Sequence, residues 1–159
     1  MKVVIFTLSI LFANIVISQT HQITKHNGEE LDVNFIKHEN DLLHYSLPGS
    51  FEEQKISKHA VSYLTDKQNN QSEKVTDKII VDSKSDYNLV KVLQKHQTLG
   101  LKEATTFSGD SSKTKGESKI ALQKHTANRI RIQSASNGYP FVSIVENDNG
   151  KYEAVAYVY

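Results

Sequence analysis

The chain has 159 residues, a formal net charge of +1, no Cys, no Trp and two Pro. Thirteen of its first 18 residues are apolar, so only about one third of the remainder is, against the roughly 45–50% (Gly included) usual for globular chains. The length excludes a large multidomain enzyme, the missing Cys excludes a disulfide-stapled or thiolate-metal scaffold, and near-neutrality argues against nucleic-acid binding by bulk charge.

Met1-Lys2 followed by the apolar run Val3 to Ile17, with small Ser18 at its end, has the layout of a secretory signal peptide. Val16 and Ser18 occupy the minus-three and minus-one positions, which predicts a mature chain beginning at Gln19. A spanning helix needs about 20 apolar residues, more than this interrupted run supplies, so the expectation is a periplasmic or secreted protein with no stable membrane span after cleavage. Lys2 is the only charge in the leader, and without it basic and acidic residues are equal in number. The sequon Asn70-Gln71-Ser72 is an isolated match in a chain rich in Asn and Ser.

From 19 to 64 the pattern is that of a small antiparallel β module. Asn27-Gly28 is a two-residue hairpin signal, Leu31, Val33 and Phe35 alternate with Asp32 and Asn34, and Glu39-Asn40-Asp41 is a turn into a strand from Leu42 to Ser46. Pro48-Gly49-Ser50 precedes a strand at Glu53 to Ser57, and Lys58 to Leu64 reads as a helical turn and a last short strand. Four or five strands in so short a stretch form a meander or a partly closed barrel. Residues 65–78 (TDKQNNQSEKVTDK) hold one apolar residue and are read as a polar interdomain linker.

The second module, 79–159, is expected to be β-β-α-β-β, one long helix on a sheet, which makes the whole chain α+β. Tyr87 to Leu93 and Leu99 to Gly109 are its first strands, with a loop at Gly109 to Ser112. Thr114 and Glu117 have capping-box spacing for a helix running to Ser136. Asn137-Gly138 stops that helix. Ile120, Ala127, Ile130 and Ser134 share a helix face while Leu122 and Ile132 lie off it, so the helix is covered on a second side or contacts another subunit, which leaves a homo-oligomer open. Pro140 opens a strand at Phe141 to Val145, and Asn147 to Gly150 turns into a final strand, Lys151 to Tyr159, apolar on both faces and therefore central or at an interface.

Leu99-Gly100-Leu101-Lys102, Ser108-Gly109, the helix, Asn137-Gly138-Tyr139-Pro140-Phe141-Val142 and Ala154-Val155-Ala156-Tyr157 resemble, in order, the pattern of small envelope domains. In these a strand "LG-x-V-x-G" precedes a helix, a "GAN-x-V" turn and a final "AY" strand, as in the bacterial Rcs outer-membrane stress-sensor lipoprotein and the YbjQ-like domains. Asn27-Gly28-Glu29-Glu30 and Lys55-Ile56-Ser57-Lys58 resemble short β repeats of secreted Bacteroidota proteins. Together these stretches span most of the mature chain. The resemblance implies a small α+β envelope domain and brings no catalytic motif, and the chain departs from the stress sensor at every cysteine.

Candidate chemistry is sparse. Among seven His, His21 and His26 are five apart and so on opposite faces of a strand, whereas His38 and His44 flank a turn and, with Glu39 or Asp41, form a candidate site for a divalent ion. There is no H-E-x-x-H, G-x-S-x-G, G-x-x-x-x-G-K-[ST] or G-x-G-x-x-G, and the adjacent pairs Glu29-Glu30 and Glu52-Glu53 read as solvated charge. Lys124, His125, Arg129 and Arg131 make the helix basic, a candidate contact for an anionic glycan, a lipid head group or an acidic partner. Tyr152, Tyr157 and Tyr159 form a second candidate surface. The reading is an exported bacterial envelope protein, a non-catalytic interaction module without a cofactor that contacts a protein or another envelope component. The alternatives are a periplasmic metal or small-ligand binder using His38 and His44, and a hydrolase of unknown type.

Overall fold

Alternation at Leu31, Val33 and Phe35 puts three apolar side chains on one face of a strand, and the first sheet is built round that face. The computed structural model describes residues 20–109, 119–146 and 152–159. Six antiparallel strands, β1 (His21–Lys25), β2 (Glu30–Glu39), β3 (Leu42–Ser46), β4 (Glu53–Ser57), β5 (Val61–Asp66) and β6 (Gln71–Lys74), lie in the order β4-β3-β2-β1-β5-β6. The near half of β2 pairs with β1 and the far half with β3, with an irregularity between Phe35 and Lys37. A strand shared in this way bends the sheet. Ile23, Val33, Leu43, Tyr45, Ile56 and Val61 consequently meet in one core although they come from five strands.

The segment read as a linker is not one. β5 runs to Asp66, the chain turns, and β6 returns beside β5, pairing Asp66 with Gln71 through to Tyr63 with Lys74. The Asp66 carboxylate organises the turn by accepting the backbone N–H groups of Gln68 (2.8 Å) and Asn69 (3.3 Å) and the Asn69 side-chain amide (2.7 Å). Composition excludes burial of such a segment, but a ladder of backbone hydrogen bonds needs no apolar side chain. Its single apolar residue, Val75, then packs against the core.

The second sheet has the order β7-β9-β10-β8, from β7 (Lys91–Val92), β8 (Lys102–Gly109), β9 (Phe141–Glu146) and β10 (Tyr152–Val158). β10 lies between β9 and β8, antiparallel to both, and β7 is parallel to β9. With helix α1 (Lys119–Ser136) between β8 and β9, this is the β-β-α-β-β arrangement, and the protein is α+β. The first strands are shorter than expected. A 3₁₀ turn at Lys84–Asn88 precedes β7, with the Asp86 carboxylate accepting the Ser83 N–H at 2.9 Å, and a second at Lys95–Thr98 precedes Gly100, whose φ of +83° delays β8 to Lys102. The Gly109–Ser112 loop beyond Gly109, the Thr114–Glu117 capping box, the Asn147–Gly150 turn and the leader lie outside the described residues.

α1 buries the row Leu122, Thr126, Ile130 and Ser134, spaced by four: Ile130 and Ser134 of the expected face are in it, while Ala127 is half-buried and Ile120 is 79% exposed. Ile130 and Ala135 pack on Val142, Ala154 and Ala156. The helix ends where Gly138 adopts φ +73°, with Tyr139 N–H donating to Ser134 C=O at 3.0 Å and Ser134 Oγ donating to Tyr139 C=O at 2.9 Å. Among the described residues no helix is long and apolar enough to cross a membrane.

The other face of the second sheet rests on the first sheet. Leu93, Phe141 and Tyr157 are buried there with Ile79, Leu101 and Tyr159, and Leu101 also packs into the core of the first sheet. Polar bonds cross at the same place: Ser57 N–H donates to Leu99 C=O at 2.8 Å, and Gln97 Nε2 donates to Asp41 Oδ2 at 2.7 Å. Gly100 is a point of close approach, since a Cβ there would stand 2.5 Å from Ile56 Cγ1.

Two outcomes test this packing by chemical denaturation. Gly100→Ala, which adds both a clash and an unfavourable φ, lowers stability by about 1–3 kcal/mol. Leu122→Ala costs about 2–4 kcal/mol, whereas Ile120→Ala stays within about 0.5 kcal/mol; equal effects would refute the buried row.

Candidate functional site

Residues directly opposite in an antiparallel pair share a face. His38 is opposite Leu43, and His44 is opposite Lys55. Leu43 points into the core, so its neighbour His44 points away from it. The expected His38–His44 pair is therefore not formed: one residue at the bend separates the faces. His38 borders an apolar depression with Phe35, Leu43, Leu64 and Val75, while His44 lines a polar cleft. Among the described residues no three His, Cys, Asp or Glu side chains gather to hold a metal ion.

The tyrosine surface is likewise internal. Tyr157 is buried, and its hydroxyl lies 3.5 Å from Glu103 Oε1. Tyr159 lies between the sheets, where its hydroxyl accepts the Ile79 N–H at 2.7 Å. β10 needs large side chains on this face to fill the gap to the first sheet, and that need withdraws them from solvent. Tyr152, on the helix face, is also buried.

On α1, Lys124 and Arg129 are exposed but five residues apart, about 140° round the helix. Arg131 is half-buried, and its Nε is enclosed without a hydrogen-bond partner. Arg129 and His125 already have partners. The three cations thus form no single patch.

The cleft at His44 is a polar site held by hydrogen bonds and ion pairs. It has a volume of about 560 Å³ and lies between the β2–β3 turn and the 3₁₀ turn Lys95–Thr98, lined by Glu39, Asp41, His44, Lys55, His96 and Gln97 among others. Asn40 (φ 51°) and Asp41 (φ 64°) form the tight turn in left-handed conformations that Asn and Asp tolerate. His44 is 6% exposed, and Glu53 Oε1 meets its Nδ1 at 2.6 Å. Its Nε2 has no hydrogen-bond partner among the described residues.

Each carboxylate at the rim is already compensated. Glu39 pairs with Lys37 at 2.6 Å, Asp41 with Lys58 at 2.5 Å, and Glu53 with His44 and, at 3.9 Å, Lys55. Hydrogen bonds from Lys37, Lys58 and His44, respectively, hold the three carboxyl groups below the usual carboxylate range. Gln97 has both ends of its amide engaged, Oε1 accepting the Gln94 N–H at 2.9 Å and Nε2 donating to Asp41.

The turn at Asp41 and the strand at His44 are legible in the sequence. The opposite wall is not, because Gln94, His96 and Gln97 lie fifty residues away in a short turn with no periodicity. Four residues of the seam between the sheets, His26, His59, Phe141 and Tyr159, also meet without a sequence signal linking them. No protein-family model, curated protein or solved structure matches this chain.

Proposed function

We propose that this is an exported envelope protein that acts as a non-catalytic binding module, and that the cleft at His44 receives a neutral, hydrogen-bonding part of an envelope component such as a saccharide unit. The observation that carries this reading is the state of His44: Nδ1 is fixed by Glu53, while Nε2 has no hydrogen-bond partner among the described residues, in a ring that lines the cleft. An imidazole so held offers one oriented polar atom and costs little ordering entropy to use. Compensation of Glu39, Asp41 and Glu53 supports a neutral ligand, since a charged one would have to compete with existing ion pairs. Export is supported by the sequence of the leader alone.

The reading needs no nucleophile: the Glu53 carboxylate beside His44 is engaged by the imidazole and by Lys55. Absence of a three-ligand cluster leaves the metal alternative without support in this region.

Titration of ¹⁵N-labelled protein with neutral glycan fragments is expected to shift signals of His44, His96 and Gln97, with an acidic glycan and zinc producing weaker changes there. His44→Phe, which keeps the volume but removes Nε2, should weaken binding by about tenfold or more, the equivalent of one lost hydrogen bond. Shifts confined to other surfaces, or unchanged affinity in a folded His44→Phe protein, would refute the cleft as the binding site.

A further inference from the structure

Two imidazoles of the first sheet are folded against aromatic rings of the second. His26 lies 4.7 Å from Tyr159, Tyr159 meets Phe141 edge-on at 5.2 Å, and Phe141 lies 5.7 Å from His59. The rings form an unbroken run, His26–Tyr159–Phe141–His59, whose two ends belong to one sheet and whose middle belongs to the other. His59 is 7% exposed.

The surroundings oppose a proton at either end. His26 Nε2 meets the Thr76 hydroxyl at 2.9 Å, and Lys78 donates to the His26 carbonyl at 3.3 Å. Asp77, the nearby carboxylate, is paired with Lys74. Lys78 also stands over the Tyr159 ring, 5.6 Å from its centroid, so a positive charge is held beside the ring that His26 packs against. His59 faces Lys58 and Lys91, and the acidic group near it, Asp41, is held by Lys58 and Gln97. Burial first, then these lysines, lowers the pKa of both imidazoles, that of His59 to about 4.

We propose that this run of rings is an acid-released latch: protonation of His26 and His59 parts the two sheets at the seam while each sheet keeps its own core. Separate cores are present, Ile23, Val33, Leu43 and Val61 in one and Val90, Ile130, Val142 and Ala154 in the other. An imidazole freed into water titrates near 6.5, so between that pH and about 4 the open form binds protons that the closed form does not. The closed form is therefore favoured above pH 6.5 and loses ground as pH falls. His59 alone shifts the ratio of open to closed roughly a hundredfold by pH 4, and His26 adds in the same direction.

Small-angle scattering and circular dichroism of the full chain from pH 7.5 to 4 test the proposal. The expected result is an increase in radius of gyration and a partial loss of the near-ultraviolet tyrosine signal below about pH 5, from Tyr157 and Tyr159 of the seam, reversible on neutralisation, with the far-ultraviolet strand signal retained. A His26→Gln, His59→Gln double variant should remain closed at pH 4. The proposal is overturned by unchanged dimensions down to pH 4, by simultaneous loss of the far-ultraviolet signal, or by a folded double variant that opens at the same pH. Should the double variant fail to fold at neutral pH, NMR titration of the histidine Cε1–H groups in the unaltered chain decides. Opening that tracks His26 and His59 supports the latch, and opening that tracks carboxylate titration overturns it.

Discussion

Everything in the second half of the molecule depends on β10 being buried on both sides. Ala154 and Ala156 offer the helix a surface without bulk, so Ile130 and Ala135 can approach the backbone closely. Tyr157 and Tyr159, on the opposite side, reach across to the first sheet and fill a wider gap. Ala154 and Ala156 toward the helix and Tyr157 toward the first sheet set two different spacings from one strand. Because β10 also provides the hydrogen-bonding partner for both β8 and β9, displacing it would dismantle ladder and packing together.

The seam made by those tyrosines also positions the polar cleft. Leu99, Gly100 and Leu101 are drawn onto the first sheet by the Ser57 hydrogen bond and by packing against Ile56 and Ala60. The preceding 3₁₀ turn is thereby brought beside the β2–β3 hairpin, where Gln97 can reach Asp41. An apolar contact thus fixes the separation of two polar walls. The same logic explains why the ion pairs at the rim are local: Lys37 with Glu39 and Lys58 with Asp41 join residues of the first sheet and its flanks, leaving neutral groups to bridge the cleft.

Much of the strand plan was legible in the sequence because it is written in short-range terms. Asn27-Gly28, Glu39-Asn40-Asp41 and Pro48-Gly49 mark turns by backbone chemistry, and the alternation at 31–35 and 152–159 marks faces. β6 was hidden because a strand held by backbone bonds has no apolar signature, and the Asp66 turn lies inside a run of uniformly polar residues. The helix face is only half legible for a different reason: Ile130 and Ser134 are buried as expected, but Thr126, a buried polar residue, joins them to Leu122, and a pattern that looks for apolar side chains passes over it. His38 and His44 looked like neighbours because a hairpin brings their backbones together, but the even alternation of side chains across the sheet decides which face each occupies. The cleft and the seam join residues forty to more than a hundred positions apart, and no local pattern encodes such a meeting.

The central place of β10 has a consequence for how the chain can acquire its structure as it is made from its N-terminus. The first sheet is assembled from residues 21 to 74, with turns that are nearly all local, and can form while the rest is still arriving. The second cannot: until Tyr152 to Val158 emerges, β8 and β9 have no shared neighbour, and α1 has lost the alanine surface it packs on. Val142, Phe141 and Phe107 must wait for β10, so they stand exposed after the first sheet has closed its own core, and it is then that a chaperone would find most to hold.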